Sequence, residues 1–165
     1  MARVLGIDPG TLKTGWGVIE TSGPRATLIA AGVIHAKRAQ ALELRLETIH
    51  VGLAEVIAIH APASVAVEDV FFAKHANAAL KLGHARGVAL LAAASAGLSV
   101  HAYAPALVKK TVAGRGAAKK EQVARLVGAL LGIRSLPAED ACDALAIAIT
   151  HMQAMRAQDL QRRVR

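Results

Sequence analysis

The sequence predicts an α/β domain built on a mixed five-stranded sheet, an antiparallel meander plus parallel strands, flanked by helices. Three observations predict it. Short apolar strands separated by turn residues follow one another at the start. Helical and strand periodicities then alternate, and the chain finishes on two helical segments.

Val4-Leu5-Gly6-Ile7 is a short apolar run that ends at Asp8, and Pro9-Gly10-Thr11 is turn chemistry. Gly15-Trp16-Gly17-Val18-Ile19-Glu20 resumes a strand, Ser22-Gly23-Pro24 turns again, and 27–35 completes the meander. Over 41–59 the apolar positions Leu42, Leu46, Ile49, Leu53 and Val56 take helical spacing, with Glu43, Arg45, Glu47 and Glu55 on the other face. Ala61-Pro62 ends that helix. Ser64-Val65-Ala66-Val67 reads as a strand buried on both faces, and it delivers Glu68. The helix expected over 77–96 is rich in alanine and glycine and apolar nearly all round, so it should be covered on more than one side. A strand over 98–103 follows. The last two helices are expected over 119–131, between Gly114-Arg115-Gly116 and Gly132, and over 137–155, with Pro137 in its first turn. The chain thus reads as one domain, 1–156, followed by a basic, flexible tail, 157–165.

A chain of 165 residues can bury about two-thirds of its unfolded surface and needs no disulfide or structural zinc. Its one cysteine, Cys142, has no intrachain partner, which fits a reducing cytosol. Mean hydropathy is +0.40, but the excess is alanine and short aliphatics. The most apolar run, 88–98, falls short of the roughly 20 residues of a spanning helix. MARVLGIDPG lacks the long apolar core of a signal peptide, so a cytoplasmic protein with no membrane association is expected. Net charge is +8 with a pI near 10.3. A compact domain this basic usually meets a polyanion.

Four acids stand out. Asp8 ends a strand at the edge where α/β sheets place their chemistry, although Asp-Pro is also common in plain turns. Glu68 directly follows a buried strand, and by strand alternation Asp69 faces the other way; capping the next helix is the ordinary alternative for either. Asp140 and Asp143 lie three apart near a helix start and project as neighbours. Acids in a first helical turn normally just complement the helix dipole. Asp143, however, is set among Ala141, Cys142, Ala144 and Leu145, where an unpaired carboxylate would be costly to bury. Four carboxylates offer only oxygen donors, which suit Mg²⁺ or Mn²⁺, and two such ions about 3.5–4 Å apart can hydrolyse a phosphodiester. The histidines are scattered; His151, about 12 Å along the helix from Asp143, reads as surface or core and not as a ligand.

Several motifs carry a resemblance together. Gly6-Ile7-Asp8-Pro9-Gly10-Thr11, Val67-Glu68, Phe71, Lys81-Leu82-Gly83, Ala85-Arg86-Gly87, Val108-Lys109 and the run from Asp140 to Ala148 resemble the RuvC family of bacterial Holliday-junction resolvases, in order and spacing, over nearly the whole chain. The resemblance implies an RNase H-like fold, a homodimer, and Mg²⁺- or Mn²⁺-dependent symmetric nicking of four-way DNA junctions in recombination and repair. It also implies a branch-migration motor complex as partner. Its acidic residues carry over to Asp8, Glu68, Asp140 and Asp143, as catalytic groups and metal ligands. The charge at Asp69 departs from the family pattern, where an uncharged or basic residue is usual. The helix over 77–96 would pair with its copy, or else lie central in its own monomer.

Expected DNA contacts come from Lys109, Lys110, Arg115, Lys119 and Lys120 around the Gly114–Gly116 loop, extended by Lys74, Lys81 and Arg86. By family match Phe71 is the ring exposed to stack on an unpaired base. Three rival readings are an actin-like ATPase fragment sharing Asp8-Pro9-Gly10-Thr11, an RNase H-like enzyme acting on RNA, and a DNA-architectural module with a dead site.

Overall fold

The computed structural model describes residues 1–69 and 76–163. Strands β1 (Ala2–Asp8), β2 (Lys13–Ser22) and β3 (Arg25–His35) form the antiparallel meander. Helix α1 (Leu42–His60), strand β4 (Ser64–Glu68), helix α2 (Ala76–Ser95) and strand β5 (Ser99–Tyr103) follow. Helices α3 (Pro105–Ala113), α4 (Lys120–Leu131) and α5 (Glu139–Arg163) complete the chain. The sheet order is β3-β2-β1-β4-β5, with β1, β4 and β5 mutually parallel, so the mixed sheet expected from the sequence is present.

Alternation along the central strands splits the core in two. Leu5, Ile7, Val18, Val65 and Val67 pack under α1 and α2, against Ile49, Leu53, Ala89 and Ala93. Val4, Ile19 and Ala66 face the opposite way, against Leu145, Ile147 and Ile149 of α5 and Val108 and Val127 of α3 and α4. β4 is thus buried on both faces, as its unbroken apolar run predicts.

Three boundaries differ from the sequence expectation. α3 was not anticipated, although Pro105 at its start and Gly114 at its end, with φ of 75°, are ordinary helix punctuation. Pro137 lies just before α5 and not in its first turn; its carbonyl accepts the buried Cys142 thiol at 3.4 Å. And α5 continues to Arg163, past the 155 expected for its end. Among the described residues no helix is long and apolar enough to cross a membrane.

Candidate active site

Asp8 and Glu68 end neighbouring parallel strands whose register pairs Ile7 with Val67. The parity that turns Val4 and Ala66 toward α5 turns Asp8 and Glu68 the same way. Across from them α5 supplies Asp143. This helix sits unusually low on the sheet, because glycines leave it room. A Cβ on Gly6 would overlap the Ala144 carbonyl oxygen and come within 2.9 Å of the Ala148 amide nitrogen. One on Gly15 would overlap the Asp140 carbonyl, and one on Gly17 would meet a Leu145 methyl at 2.5 Å. Backbone-to-backbone seating brings the first turn of α5 to the strand ends.

Asp8, Glu68 and Asp143 line one cavity of about 260 Å³, together with Lys109 of α3, Lys120 of α4 and an apolar floor that includes Val108, Val123 and Ile147. Asp140, the fourth acid, is not on its wall; its charge nonetheless raises the pKa of both Asp8 and Asp143. Asp8 is pushed from 3.8 up to about 7, first by burial and then by Glu68, Asp143 and Asp140. Burial, then Asp143, raises Glu68. Asp143 is also raised by burial, against the pull of Lys120. The cavity therefore holds more negative charge than its surroundings can solvate.

Lys120 is the local counterweight. Its ammonium donates to Asp143 Oδ2 at 3.2 Å and to Glu139 Oε1 at 3.0 Å. The Glu139 hydrogen bond is the largest cause holding its pKa above the ordinary lysine value. Glu139 in turn is held below its usual range, chiefly by Lys120. Among the described residues no group of three His, Cys, Asp or Glu side chains stands in ready-made ligand geometry. The donor set still fits a hard divalent cation: the acids are oxygen-only, crowded and pushed toward protonation, the condition a bound cation would relieve.

Of the expected DNA contacts, Lys109 and Lys120 reach the cavity, while Lys110 is exposed on α3 away from its wall. Arg115 and Lys119 line a second, basic groove with Arg125, which the sequence reading missed; Arg115 donates there to Gln122 at 3.0 Å. Lys81 is exposed on α2. Arg86 is instead engaged by the strand end: it donates to the Glu68 carbonyl at 3.2 Å and pairs with Asp69 at 3.2 Å. The acid at 69 thus holds an arginine beside Glu68. Phe71 and Lys74 lie outside the described residues.

A family model described as crossover junction endodeoxyribonuclease RuvC matches residues 4–151. The chain belongs to the RuvC family. Among its relatives, RuvC of Azorhizobium caulinodans is 52% identical over 151 residues, covering 92% of this chain and 89% of that protein. RuvC of Sorangium cellulosum is 52% identical over 152 residues, covering 92% and 85%. The structure of T. thermophilus RuvC in complex with Holliday junction substrate superposes with a TM-score of 0.90 at 38% identity, covering 96% of this chain and 97% of that one. The RuvC fold is RNase H-like, and the mixed sheet and flanking helices described above are that fold. By family the chain is a crossover junction endodeoxyribonuclease.

Proposed function

We propose that this chain resolves four-way DNA junctions by nicking two strands symmetrically, with Asp8, Glu68, Asp140 and Asp143 as the acids of the reaction centre. The observation that carries the reading is the convergence of three carboxylates, from β1, β4 and α5, on one cavity rimmed by two lysines. Mg²⁺ or Mn²⁺, two ions per site, would supply the activated water and the stabilised leaving oxygen of phosphodiester hydrolysis. Asp8, Glu68, Asp140 and Asp143 would hold these ions, Asp140 being near enough for its charge to raise the pKa of both Asp8 and Asp143. Lys109 and Lys120 present ammonium groups where a backbone phosphate must enter. The apolar floor limits water around the acids, which strengthens every charge interaction inside.

The remaining basic residues, Lys74, Lys81, Lys110, Arg115 and Lys119, extend a phosphate-binding path outward from the cavity, and Phe71, by family match, is the ring that stacks on an unpaired base. Arg86 serves that path less directly, through the Glu68 strand end. A homodimer is supported by the outer face of α2: Leu80 is 62% and Leu91 56% exposed, and Gly83 and Gly87 have open space where a Cβ would be. A branch-migration motor complex is the partner that the family suggests, and the cytoplasm the compartment.

The deciding experiment is a nicking assay on a synthetic four-way junction, with Mg²⁺, with Mn²⁺ and with EDTA, and with linear duplex as control. Metal-dependent paired nicks on the junction alone are expected. Equal cutting of linear duplex, or cutting in EDTA, would refute the reading.

A further inference from the structure

In the seam between α5 and the sheet, the helix backbone sits on Gly6 and Gly15, Leu145 lies on Gly17, and Ile147 and Ile149 add apolar packing. Such a seam allows close approach but contains no directional bond, so packing alone discriminates weakly against a small slide or turn of the helix. One residue supplies direction. His151 is 1% exposed, and both of its ring nitrogens are used: Nε2 lies 3.0 Å from Ser64 Oγ and Nδ1 2.7 Å from Tyr103 Oη. Among the described residues these are the side-chain hydrogen bonds that join α5 to the sheet. The ring is stacked on His101 with centroids 4.3 Å apart. Burial, then His101, holds its pKa down to about 4, so the imidazole is neutral at physiological pH and offers one donor and one acceptor. Either tautomer satisfies both partners, because each hydroxyl can donate or accept.

The positions of those hydroxyls give the contact its meaning. Ser64 begins β4, the strand that ends in Glu68. Tyr103 ends β5 and pairs in register with Glu68. The imidazole therefore clamps α5 to both ends of the strand pair that carries one acid, two turns along the same helix from another.

We propose that His151 is a positioning residue: bonded to Ser64 and Tyr103, it fixes the axial and rotational setting of α5 on the sheet, so that Asp143 meets Asp8 and Glu68. The inference rests on the proposed role of those acids. A buried polar group that selects one packing arrangement over near-equivalent ones is an established use of such residues.

The test uses the full chain with His151→Phe, His151→Gln and Tyr103→Phe, the last removing a single hydroxyl in case the first disturbs folding. Mn²⁺ affinity is measured by calorimetry without DNA, junction binding in EDTA, and kcat and KM for nicking in Mn²⁺. For His151→Phe, kcat and Mn²⁺ affinity are each expected to fall about 10–100-fold, the usual effect of losing a group that orients ligands. KM and metal-free junction binding should stay within about twofold. Tyr103→Phe should give a smaller loss of the same kind, adding nothing in the double variant, and His151→Gln should recover part of it. Wild-type kcat and Mn²⁺ affinity in His151→Phe and Tyr103→Phe would overturn the inference. So would losses that vanish once the assay temperature is lowered in step with Tm, since that marks a structural role alone. Asp143→Asn separates the two layers: if it cuts normally, the reading of the site fails, whereas if it is inactive while His151→Phe is normal, only the positioning role fails.

Discussion

Asp8 is the residue on which burial and like charge act most strongly, and it makes two predictions. Asp8→Asn should abolish nicking while leaving junction binding nearly intact, because the acids serve the chemistry and the lysines the affinity; a gel-shift titration beside the nicking assay checks this. The second concerns stability without metal. The native state keeps a proton on Asp8 up to about pH 7, whereas the unfolded chain releases it near 3.8. Between those values the folded form binds more protons, so the Asp8 contribution to stability falls as pH rises through the window. Asparagine does not titrate. The Tm of Asp8→Asn in EDTA should therefore pull ahead of wild type from about pH 4 to about pH 7 and then hold a constant lead. The opposite trend from His151, whose folded pKa is depressed, is common to both proteins and cancels in the difference. Saturating Mn²⁺ should erase the lead. A lead independent of pH would mean that Asp8 is not the strained group. At this scale the sequence was informative about identity: Asp8, Glu68 and Asp143 line one cavity, and Asp140, beside it, acts on Asp8 and Asp143 through its charge. Three residues on a helix turn through about 300°, so Asp140 and Asp143 point about 60° apart, and whether both reach one cavity depends on helix rotation that no local pattern encodes.

At the scale of elements, strands and the longer helices follow directly from periodicity, as the apolar run of β4 and the helical spacing of α1 illustrate. The seating of α5 does not. Gly6, Gly15 and Gly17 read in sequence simply as members of the first two strands, yet their function is to admit a helix more than 120 residues away. The same holds for Lys120, whose partners Asp143 and Glu139 lie on another helix, and for His151, which looks like any core histidine until β4 and β5 are placed around it. α3 is a different kind of omission, since its Pro105 and Gly114 signals were local and available. Gly6→Ala tests the seating. The added methyl overlaps backbone atoms of Ala144, which cannot move aside as a flexible side chain would. Overpacking of this kind costs about 3 kcal/mol or more, which for a domain of this size lowers Tm by roughly 10 °C. Thermal unfolding measures it, and nicking should be lost even well below the new Tm. An unchanged Tm would show that α5 rides higher than described.

For the whole molecule, a net charge of +8 sets the approach to DNA. Lys109 and Lys120 are the cations that reach the cavity, and removing both should weaken junction binding and lower the slope of log K against log salt by about 1–2. Fluorescence anisotropy across a salt series reads this directly, and an unchanged slope would remove them from the phosphate contacts. The strand order also has a consequence at this scale. The sheet stands between α5 with its acids on one side and α1 and α2 on the other. Under the proposed pairing through α2, chemistry and symmetry therefore belong to opposite sides of one wall. Under that pairing, a subunit deprived of its twin would keep the power to break a strand and lose the means to break the second in concert, so that a resolvase would become a plain nickase.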